Sequence, residues 1–339
     1  MSAQPELPAT ASRPLRLGFL GLGWIGRKRL DAAAEFPEIE VAVLADVETQ
    51  RVRAAAERFP GAIAARDVAE LLRCDVDGVV IATPNSCHAQ QALECLERGV
   101  PVFCQKPLAI SAAESKRVVA AAQSSDRLLG IDYCYRHVSG MHELRRRTAA
   151  GELGDILAVE LTFHNAYGPD KPWCYERRLS GGGCLLDLGV HLIDLAFWLQ
   201  DAPTIELVSS NLFAQGQPVR SGEEAIEDLA FATFRQSSGA VIRLACSWNA
   251  HVGRGAVIEM RLLATKGGAH WRNIDGSFYD FQLDLTRGTS CERIGSAPDD
   301  WGARALSSWC RRLQHDRSFD PEALLILPGA SLIDEVYGS

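Results

Sequence analysis

The chain of 339 residues lacks the cysteine patterns that mark several common classes of protein. Its ten cysteines include no C-x-x-C pair and no spacing that resembles a metal site, so no metal centre is predicted. Four of them lie inside strand and helix patterns, where a free thiol behaves as a small hydrophobic side chain: Cys74, Cys87, Cys95 and Cys104. This usage is typical of a reduced, cytoplasmic protein.

An excess of positive charge and a long apolar run are also absent. The 35 Lys and Arg residues against 43 Asp and Glu residues give a formal net charge of -8, which argues against nucleic acid or an anionic membrane surface as a partner. No uninterrupted apolar run approaches the roughly 18 residues of a membrane span. Residues 1–14 hold no apolar segment like that of a signal peptide, and we expect them to form a flexible tail.

The first part of the chain alternates between strand and helix patterns. The predicted strands are Leu15–Leu20, Val41–Ala45, Gly78–Ala82, Pro101–Cys104 and Leu128–Ile131. The predicted helices are Ile25–Phe36, Gln50–Phe59, Val68–Leu72, Cys87–Arg98 and Ser111–Ser124. This alternation predicts a doubly wound parallel sheet, of the Rossmann type, over residues 15–134.

The pattern changes from about residue 135, which suggests a second domain over residues 135–339. Strand-like runs are found at Leu157–Tyr167, Ile205–Phe213, Leu229–Phe234, Ala240–Ser247 and Ala256–Ala264. One long helix, Leu185–Leu199, falls among them, and other helical stretches are Gly140–Ala150, Trp301–His315 and Ser331–Tyr337. We therefore expect an α/β domain with a mostly antiparallel sheet, which can leave one face open for a partner.

A glycine-rich turn, Gly21-Leu22-Gly23-Trp24-Ile25-Gly26, follows the first predicted strand directly and opens a helix. In a dinucleotide-binding turn, the first glycine permits the tight turn, the second lets the backbone approach a pyrophosphate, and the third packs the helix against the strand. The helix N-terminus offers unpaired N–H groups and the positive end of its dipole to the phosphates. The sequence therefore predicts a dinucleotide site rather than an empty structural turn.

Asp46 ends the second predicted strand, 20 residues after Gly26. Its carboxylate can accept hydrogen bonds from both hydroxyls of an adenosine ribose, and it would repel a 2′-phosphate. NAD is therefore the predicted cofactor. Thr49 and Arg51 lie close enough in the sequence to keep NADP as an alternative.

A lysine stands at the carboxyl end of another predicted strand, in Cys104-Gln105-Lys106-Pro107. In an open α/β sheet, ligands bind outside the carboxyl ends of the strands, so this lysine is placed to point into the ligand crevice. A solvated lysine on a loop explains the position alone equally well.

Three polar residues share one face of the helix that follows Gly181-Gly182-Gly183. Asp187, His191 and Asp194 recur at i, i+4 and i+7 among apolar residues, which predicts a polar seam inside the protein. A buried carboxylate and imidazole are costly unless they are paired, so a satisfied structural pair is one explanation. Their combination after a triple glycine favours a functional site.

These features together resemble the Gfo/Idh/MocA family of oxidoreductases, which includes inositol dehydrogenases and glucose–fructose oxidoreductases. The resemblance extends from Leu17 to the C-terminal helix. Four matches carry it: Gly21, Gly23 and Gly26 with Asp46; Thr83-Pro84-Asn85 with His88; Lys106-Pro107; and Gly181-Gly182-Gly183 with Asp187, Gly189, His191 and Asp194. One residue departs from the family pattern, because Gln105 stands where the family usually has Glu before Lys-Pro.

The resemblance implies a Rossmann domain, a second domain with an open sheet, and a site between them. The implied reaction is hydride transfer between a nicotinamide cofactor and a secondary alcohol of a sugar or cyclitol. His191 would take the hydroxyl proton, Asp187 would orient the imidazole or the hydroxyl, and Lys106 would donate a hydrogen bond to the same oxygen.

The resemblance also assigns binding residues. The implied cofactor contacts are Gly21, Gly23, Trp24, Ile25, Gly26, Asp46, Thr83, Pro84, Asn85, His88, Gln105 and Lys106. The implied substrate contacts are His164, Asn165, Tyr167 and Trp173. Three arginines are candidates for binding a carboxylate or phosphate, or are ordinary surface residues: Arg136, Arg177 and Arg178.

Other members of the family suggest three alternatives. Some hold NAD tightly for a transient oxidation during glycoside cleavage, and some reduce diketones, dihydrodiols or imines with NADPH. A third alternative is a regulatory protein that senses a dinucleotide, but this chain keeps Lys106, Asp187 and His191. As in relatives, a homodimer or homotetramer is expected.

Overall fold

The computed structural model describes residues 13–201, 204–220 and 223–338, so nearly all of the expected tail at residues 1–14 lies outside the described residues. The first part of the chain forms a six-stranded parallel sheet in the order β3-β2-β1-β4-β5-β6. Its strands are β1 (Leu15–Leu20), β2 (Ile39–Ala45), β3 (Ile63–Ala65), β4 (Gly78–Ile81), β5 (Val102–Cys104) and β6 (Leu129–Ile131). The predicted doubly wound parallel sheet is confirmed.

Five helices connect these strands. They are α1 (Trp24–Ala34), α2 (Thr49–Arg58), α3 (Val68–Leu71), α4 (Asn85–Glu97) and α5 (Ala112–Ser125). Helix α1 ends two residues before the predicted Phe36. The N–H groups of Glu35 and Phe36 bond to the carbonyls of Ala32 and Ala33, three residues back, which tightens the last turn before Pro37.

The second part of the chain forms a nine-stranded sheet in the order β15-β14-β13-β12-β7-β11-β10-β8-β9. Helix α6 (Met141–Ala149) leads into the central strand β7 (Ile156–Asn165). The other strands are β8 (Ile205–Ala214), β9 (Gln217–Pro218), β10 (Leu229–Gln236), β11 (Val241–Ser247), β12 (Ala256–Ala264), β13 (Gly268–Asn273), β14 (Phe281–Arg287) and β15 (Ser290–Gly295). Strands β7 and β11 pair in parallel and the remaining pairs are antiparallel, which confirms the predicted mostly antiparallel sheet.

The remaining helices are α7 (Arg177–Ser180), α8 (Val190–Leu199), α9 (Arg304–His315) and α10 (Ile326–Tyr337). Between α7 and α8, residues Leu185–Gly189 form a π-helix, where a single α-helix from Leu185 was predicted. The carbonyl of Asp187 accepts a hydrogen bond from Lys106 at 2.7 Å, so a backbone group of this turn bonds to a side chain outside the helix.

The helical segment Arg177–Leu199 is long and apolar enough, by length and composition alone, to cross a membrane. However, 89% of its apolar window is buried inside the protein. Leu192, Ile193 and Leu195 are among the buried residues of α8, so the segment is packed as a core helix.

Alternation along β7 gives the nine-stranded sheet two different faces. Val159, Leu161 and Phe163 are buried on the face covered by helices, whereas Glu160 is exposed on the other face. On that open face, Phe231 and Leu263 are 44% and 47% exposed. The sheet therefore has one uncovered face within the described chain, as the sequence predicted.

Helix α9 belongs to the second part of the chain but packs on the parallel sheet formed by the first part. Its apolar face is buried in the same core as β1 and β2, through Leu306, Trp309 and Leu313. A Cβ atom added to Gly78 or Gly130 would lie 2.6 or 2.5 Å from the Trp309 ring, so these strand positions have no room for a larger residue. The helix packs on the first domain because this core buries its apolar face.

Strands β3, β9 and β13–β15 had no predicted range. Strands β3 and β9 have three and two residues, too few for a periodic pattern. Strands β13–β15 carry charged residues on the open face, where Arg272 and Asp284 pair at 3.2 Å. In β14, the buried Phe281, Leu283 and Leu285 alternate with polar residues, so the pattern of a strand is present there although no strand was predicted.

Candidate active site

The glycine-rich turn between β1 and α1 has the shape that a dinucleotide requires. Gly21 has a φ of 90°, and a Cβ added there would lie 2.6 Å from the Ala82 backbone. A Cβ at Gly26 would lie 1.9 Å from the Gly21 carbonyl oxygen. At Gly23, by contrast, a Cβ would meet only Arg51 Nη1, at 3.9 Å. The middle glycine thus faces open space, which fits the approach of a pyrophosphate.

The start of α1 leaves its N–H groups available. No side chain caps the helix at Gly23, and its first turn contains no acidic residue. Trp24 is half exposed in this turn, and Ile25 follows it as a partly buried residue. The turn residues predicted to contact the cofactor therefore lie where a phosphate could meet free donors.

Asp46 lies at the end of β2, beside the glycine-rich turn. Its Oδ2 accepts a hydrogen bond from the Leu22 N–H at 2.6 Å, and its Oδ1 accepts one from the Glu48 N–H at 2.8 Å. Arg51 Nη1 lies 3.7 Å from Asp46 Oδ2, and Arg51 Nη2 lies 2.7 Å from Glu48 Oε1. The site therefore presents a fixed carboxylate, and its nearby arginine is already engaged by two acids.

Thr83, Pro84 and Asn85 connect β4 to α4 at the carboxyl edge of the parallel sheet. Asn85 Nδ2 donates to the Ser180 carbonyl at 2.9 Å, which ties this loop to the second domain. His88 is buried, and its two ring nitrogens lie 2.7 and 2.8 Å from the carbonyl oxygens of Pro107 and Thr83. His88 thus joins two predicted cofactor loops through their backbones, and a direct contact with the cofactor stays a prediction.

Lys106 and Asp187 meet across the two domains. Lys106 Nζ donates to Asp187 Oδ1 at 2.8 Å and to the Asp187 carbonyl at 2.7 Å. The side chains are 18% and 39% exposed, so the pair is partly accessible to solvent rather than lying in a dry core. The structure therefore brings together two of the three residues that sequence analysis placed in the catalytic group.

Two residues that the sequence analysis missed hold Asp187 in place. Trp248 Nε1 donates to Asp187 Oδ2 at 3.2 Å. Glu227 is fully buried and accepts hydrogen bonds from the N–H groups of Gly183 and Leu185 at 3.0 and 2.9 Å, and from the Tyr337 hydroxyl at 2.8 Å. The sequence places Glu227 and Trp248 at least 40 positions from Asp187, so no local spacing could indicate them.

Close contacts with Glu227 and Tyr337 explain why residues 183 and 182 are glycines. A Cβ at Gly183 would lie 1.9 Å from the Glu227 carbonyl oxygen, and a Cβ at Gly182 would lie 2.2 Å from the Tyr337 hydroxyl. The carboxylate accepts N–H groups at the start of the helical segment, where a negative charge is favoured. These contacts fix the turn that carries Asp187.

His191 lies one turn beyond Asp187, among aromatic rings. Its ring centroid is 5.0 Å from that of Tyr135 and 6.5 Å from that of Tyr133. Its Nδ1 is buried and has no hydrogen-bond partner within the described residues. Burial, together with the cations Lys106 and Arg29, lowers the pKa of His191 well below its ordinary value. The imidazole is therefore held neutral, as a general base requires.

Asp187 binds Lys106 and Trp248 rather than the His191 ring. Both carboxylate oxygens have these donors, while His191 Nδ1 has none within the described residues. The geometry favours a role for Asp187 in orienting the lysine or the substrate hydroxyl. The alternative that it orients the imidazole has no support from a hydrogen bond.

Gln105 departs from the family pattern because a different carboxylate occupies its surroundings. Its Nε2 donates to Oδ2 of Asp132, at the end of the neighbouring strand β6. The same oxygen accepts from Arg29 Nε, and Arg29 Nη1 donates to the Gly302 carbonyl at 2.6 Å. All three side chains are buried. A neutral amide at 105 therefore avoids a second negative charge beside Asp132.

We expect Gln105→Glu to lower the free energy of unfolding by about 1–3 kcal/mol, the cost of leaving a buried polar group without a partner. Urea denaturation of the wild type and the variant measures this loss. The double variant Gln105→Glu with Asp132→Asn restores a donor beside the new carboxylate, so it should recover most of the stability. Additive losses in the double variant would contradict the pairing.

The predicted substrate residues at the end of β7 point to opposite faces of the sheet. Phe163, whose ring lies near His191, shares a face with Asn165, and the buried Oδ1 of Asn165 has no partner in the described part of the chain. His164 falls on the open face, where its Nδ1 lies 2.8 Å from Ser247 Oγ. Asn165 therefore remains a substrate candidate. Strand alternation places the side chain of His164 on the face opposite that of Asn165, and its contact with a substrate stays a prediction.

Tyr167 and Trp173 belong to the loop that leads from β7 toward α7. Tyr167 is 55% exposed, and its ring centroid is 6.0 Å from that of Phe278. Trp173 lies in a short 3₁₀ turn, Pro172–Tyr175. The ring of Tyr175 packs 5.7 Å from that of Trp248. This loop thus borders the cleft beside Asp187, and substrate contact by its residues stays a prediction.

The candidate anion-binding arginines have protein partners. Arg136 Nε donates to Asp194 Oδ2 at 2.8 Å, and its guanidinium also lies 3.5 Å from Glu322. Both carboxylate oxygens of Asp194 accept hydrogen bonds from Arg136. Asp194 is therefore engaged by this arginine rather than by Asp187 or His191, with which it was predicted to form a polar seam. The other two arginines are engaged with aromatic or acidic neighbours: Arg177 over the Tyr337 ring and Arg178 with Glu176.

The fold and site define a two-domain oxidoreductase of the dinucleotide-binding type. Residues 15–133 match the family described as "Oxidoreductase family, NAD-binding Rossmann fold", and residues 141–270 match the one described as "GFO/IDH/MocA C-terminal domain". These matches cover most of the chain. The protein belongs to the Gfo/Idh/MocA family of oxidoreductases.

Relatives and solved structures agree with this assignment. The chain is 30% identical to "Inositol 2-dehydrogenase 2" of Paenarthrobacter aurescens over 89% of this chain and 86% of that protein. It is 26% identical to "D-glucoside 3-dehydrogenase" of Escherichia coli over 77% and 78% of the two chains. The structure of KijD10, a 3-ketoreductase from Actinomadura kijaniata in complex with NADP and TDP-benzene, has a TM-score of 0.81 at 21% identity, over 96% and 98% of the two chains.

Proposed function

We propose that the protein transfers a hydride between NAD and a secondary alcohol or ketone on a sugar, cyclitol or related polyol. The observation that carries the proposal is the meeting of Lys106 and Asp187 across the domains, with His191 on the next turn. When bound, the nicotinamide ring supplies or accepts the hydride. Relatives named for inositol and D-glucoside oxidation support the CH–OH class of substrate.

The chain's own residues perform the proton chemistry of this proposal. His191 is held neutral, so it can accept the hydroxyl proton as the alcohol is oxidised. The Lys106 ammonium donates a hydrogen bond to the same oxygen and offsets its developing negative charge. Asp187, fixed by Trp248, keeps the ammonium at the edge of the cleft.

A panel of myo-inositol, other polyols, aldoses and methyl glucosides, scored by NADH absorbance, tests the proposal. We expect steady formation of NADH with at least one alcohol. Glycoside cleavage without net NADH release would instead identify the glycosidase of the same family. Activity on no member of the panel, with NAD or NADP, would contradict the proposed substrate class.

The preference for NAD over NADP is part of the proposal and rests on Asp46. We expect Asp46→Ser to raise the ratio of kcat/KM for NADP to that for NAD by at least about tenfold. The serine can still accept the Leu22 N–H, while removal of the charge ends repulsion of a 2′-phosphate and leaves Arg51 with Glu48 as its acidic partner. Steady-state kinetics with both cofactors measures the ratio, and Asp31→Ser, on the exposed side of α1, is the control. An unchanged ratio would contradict this basis for selectivity.

The same proposal includes a homodimer or homotetramer in the cytoplasm. The open face of the nine-stranded sheet, with exposed Phe231 and Leu263, supports association through that face. The free state of all ten cysteines supports a reducing compartment.

A further inference from the structure

The loop between β7 and α7 brings a lysine of the second domain to the glycine-rich turn of the first. Lys171 Nζ lies 5.8 Å from the centroid of the Trp24 ring. Trp24 is the first residue of α1 and is 52% exposed. The ammonium therefore lies beside the helix N-terminus that fits a pyrophosphate.

The part of the chain that the structure describes offers this lysine no acidic partner. Within the described residues, its ammonium makes no hydrogen bond or ion pair, and its recorded contact is with the Trp24 ring. Arg51, near the same turn, by contrast pairs with Asp46 and Glu48. A cation–aromatic contact at an exposed site is weak, so it leaves most of the ammonium's hydrogen-bonding capacity unused.

The loop that carries Lys171 is anchored at several points. The Cys174 N–H bonds to the Lys171 carbonyl at 3.0 Å, and the Tyr175 hydroxyl donates to the Pro169 carbonyl at 3.1 Å. The Tyr175 ring packs on Trp248, which holds Asp187. The position of the ammonium is thus tied to the loop that borders the catalytic residues.

We propose that Lys171 is a cofactor-binding residue supplied by the second domain, whose ammonium pairs with the pyrophosphate of the dinucleotide beside Trp24. The pyrophosphate carries two negative charges, and the start of α1 offers N–H donors with no side-chain cap and no acidic residue in the first turn. Lys171 adds a cation from the second domain. This inference rests on the dinucleotide binding of the proposed function.

Binding of NADH itself, followed by the change in its fluorescence without any substrate, tests the inference. We expect Lys171→Met to raise the Kd for NADH about tenfold and to weaken its dependence on salt. Lys171→Arg should bind within about twofold of the wild type because it keeps the charge. The control Lys266→Met removes the same charge from the exposed β12–β13 turn and should leave the Kd unchanged.

A second variant separates a role in binding from a role in folding. Lys171→Gln should show the same loss as Lys171→Met while its thermal unfolding matches that of the wild type. Wild-type affinity for NADH in both neutral variants would overturn the inference. If the wild-type protein itself fails to bind NADH or NADPH, the proposed function fails instead, so the two failures are distinguishable.

Discussion

Replacing His191 with alanine should lower kcat for alcohol oxidation by about 10²–10⁴, the usual contribution of a positioned acid–base group. The imidazole is the neutral titratable group that sequence and structure place beside Lys106 and Asp187. The loss should fall on hydride transfer and not on cofactor affinity, because the ring packs against Tyr133 and Tyr135 rather than the glycine-rich turn. Stopped-flow measurement of NADH formation, with the Kd for NAD determined separately, checks both parts.

Two further variants control this result. His191→Gln keeps a polar side chain without a base of suitable pKa, so it should be as slow as the alanine variant. His315→Ala, at the exposed end of α9, should keep the wild-type rate. A His191→Ala enzyme that turns over at the wild-type rate on the true substrate would contradict the assigned role.

Replacing Lys106 with methionine should lower kcat by about 10²–10³, comparable to the loss of one donor to a developing oxyanion. Methionine has a similar length but cannot donate to the substrate oxygen or to Asp187. The expected loss corresponds to about 2.7–4 kcal/mol of transition-state stabilisation. Single-turnover kinetics gives the rate of hydride transfer, and Lys116→Met on the exposed face of α5 is the matched control.

A double variant tests whether Lys106 and Asp187 act together. Because Lys106 donates to both the carboxylate and the carbonyl of Asp187, the two residues form one unit. Removing both, in Lys106→Met with Asp187→Asn, should cost little more than removing the lysine alone. Fully additive losses would indicate that the two side chains act independently.

Residues with a local pattern could be predicted from the sequence. The parallel sheet, the glycine-rich turn and Asp46 follow from periodicity and from the close steric demands at Gly21 and Gly26. Lys106 required the resemblance to the family, because position alone left a solvated lysine as an equal explanation. For Asp187 and His191, the pattern after the triple glycine already favoured a functional site over a structural pair, and the resemblance supplied their roles. The structure then placed Lys106 and Asp187 in contact.

Contacts that depend on distant parts of the chain could not be predicted. Glu227 and Trp248 lie on or beside strands of the second sheet and reach Asp187 or its turn only through the tertiary fold. Helix α9 has an ordinary amphipathic pattern, which does not specify the sheet it covers. The faces of β7 on which His164 and Asn165 lie depend on strand register, which a single unaligned sequence does not fix.

The pH dependence of hydride transfer in the wild type and in Lys106→Met tests the central claim most directly, since it asks whether the lysine and the imidazole share one site. Burial and the cations Lys106 and Arg29 lower the pKa of His191, so the base stays unprotonated as the pH falls. The acid limb of the wild-type profile should therefore lie below pH 6.5, the unperturbed value for histidine. Removing the Lys106 charge should raise the pKa of His191 and move this limb to higher pH. A limb that stays at the same pH in the variant would contradict the account.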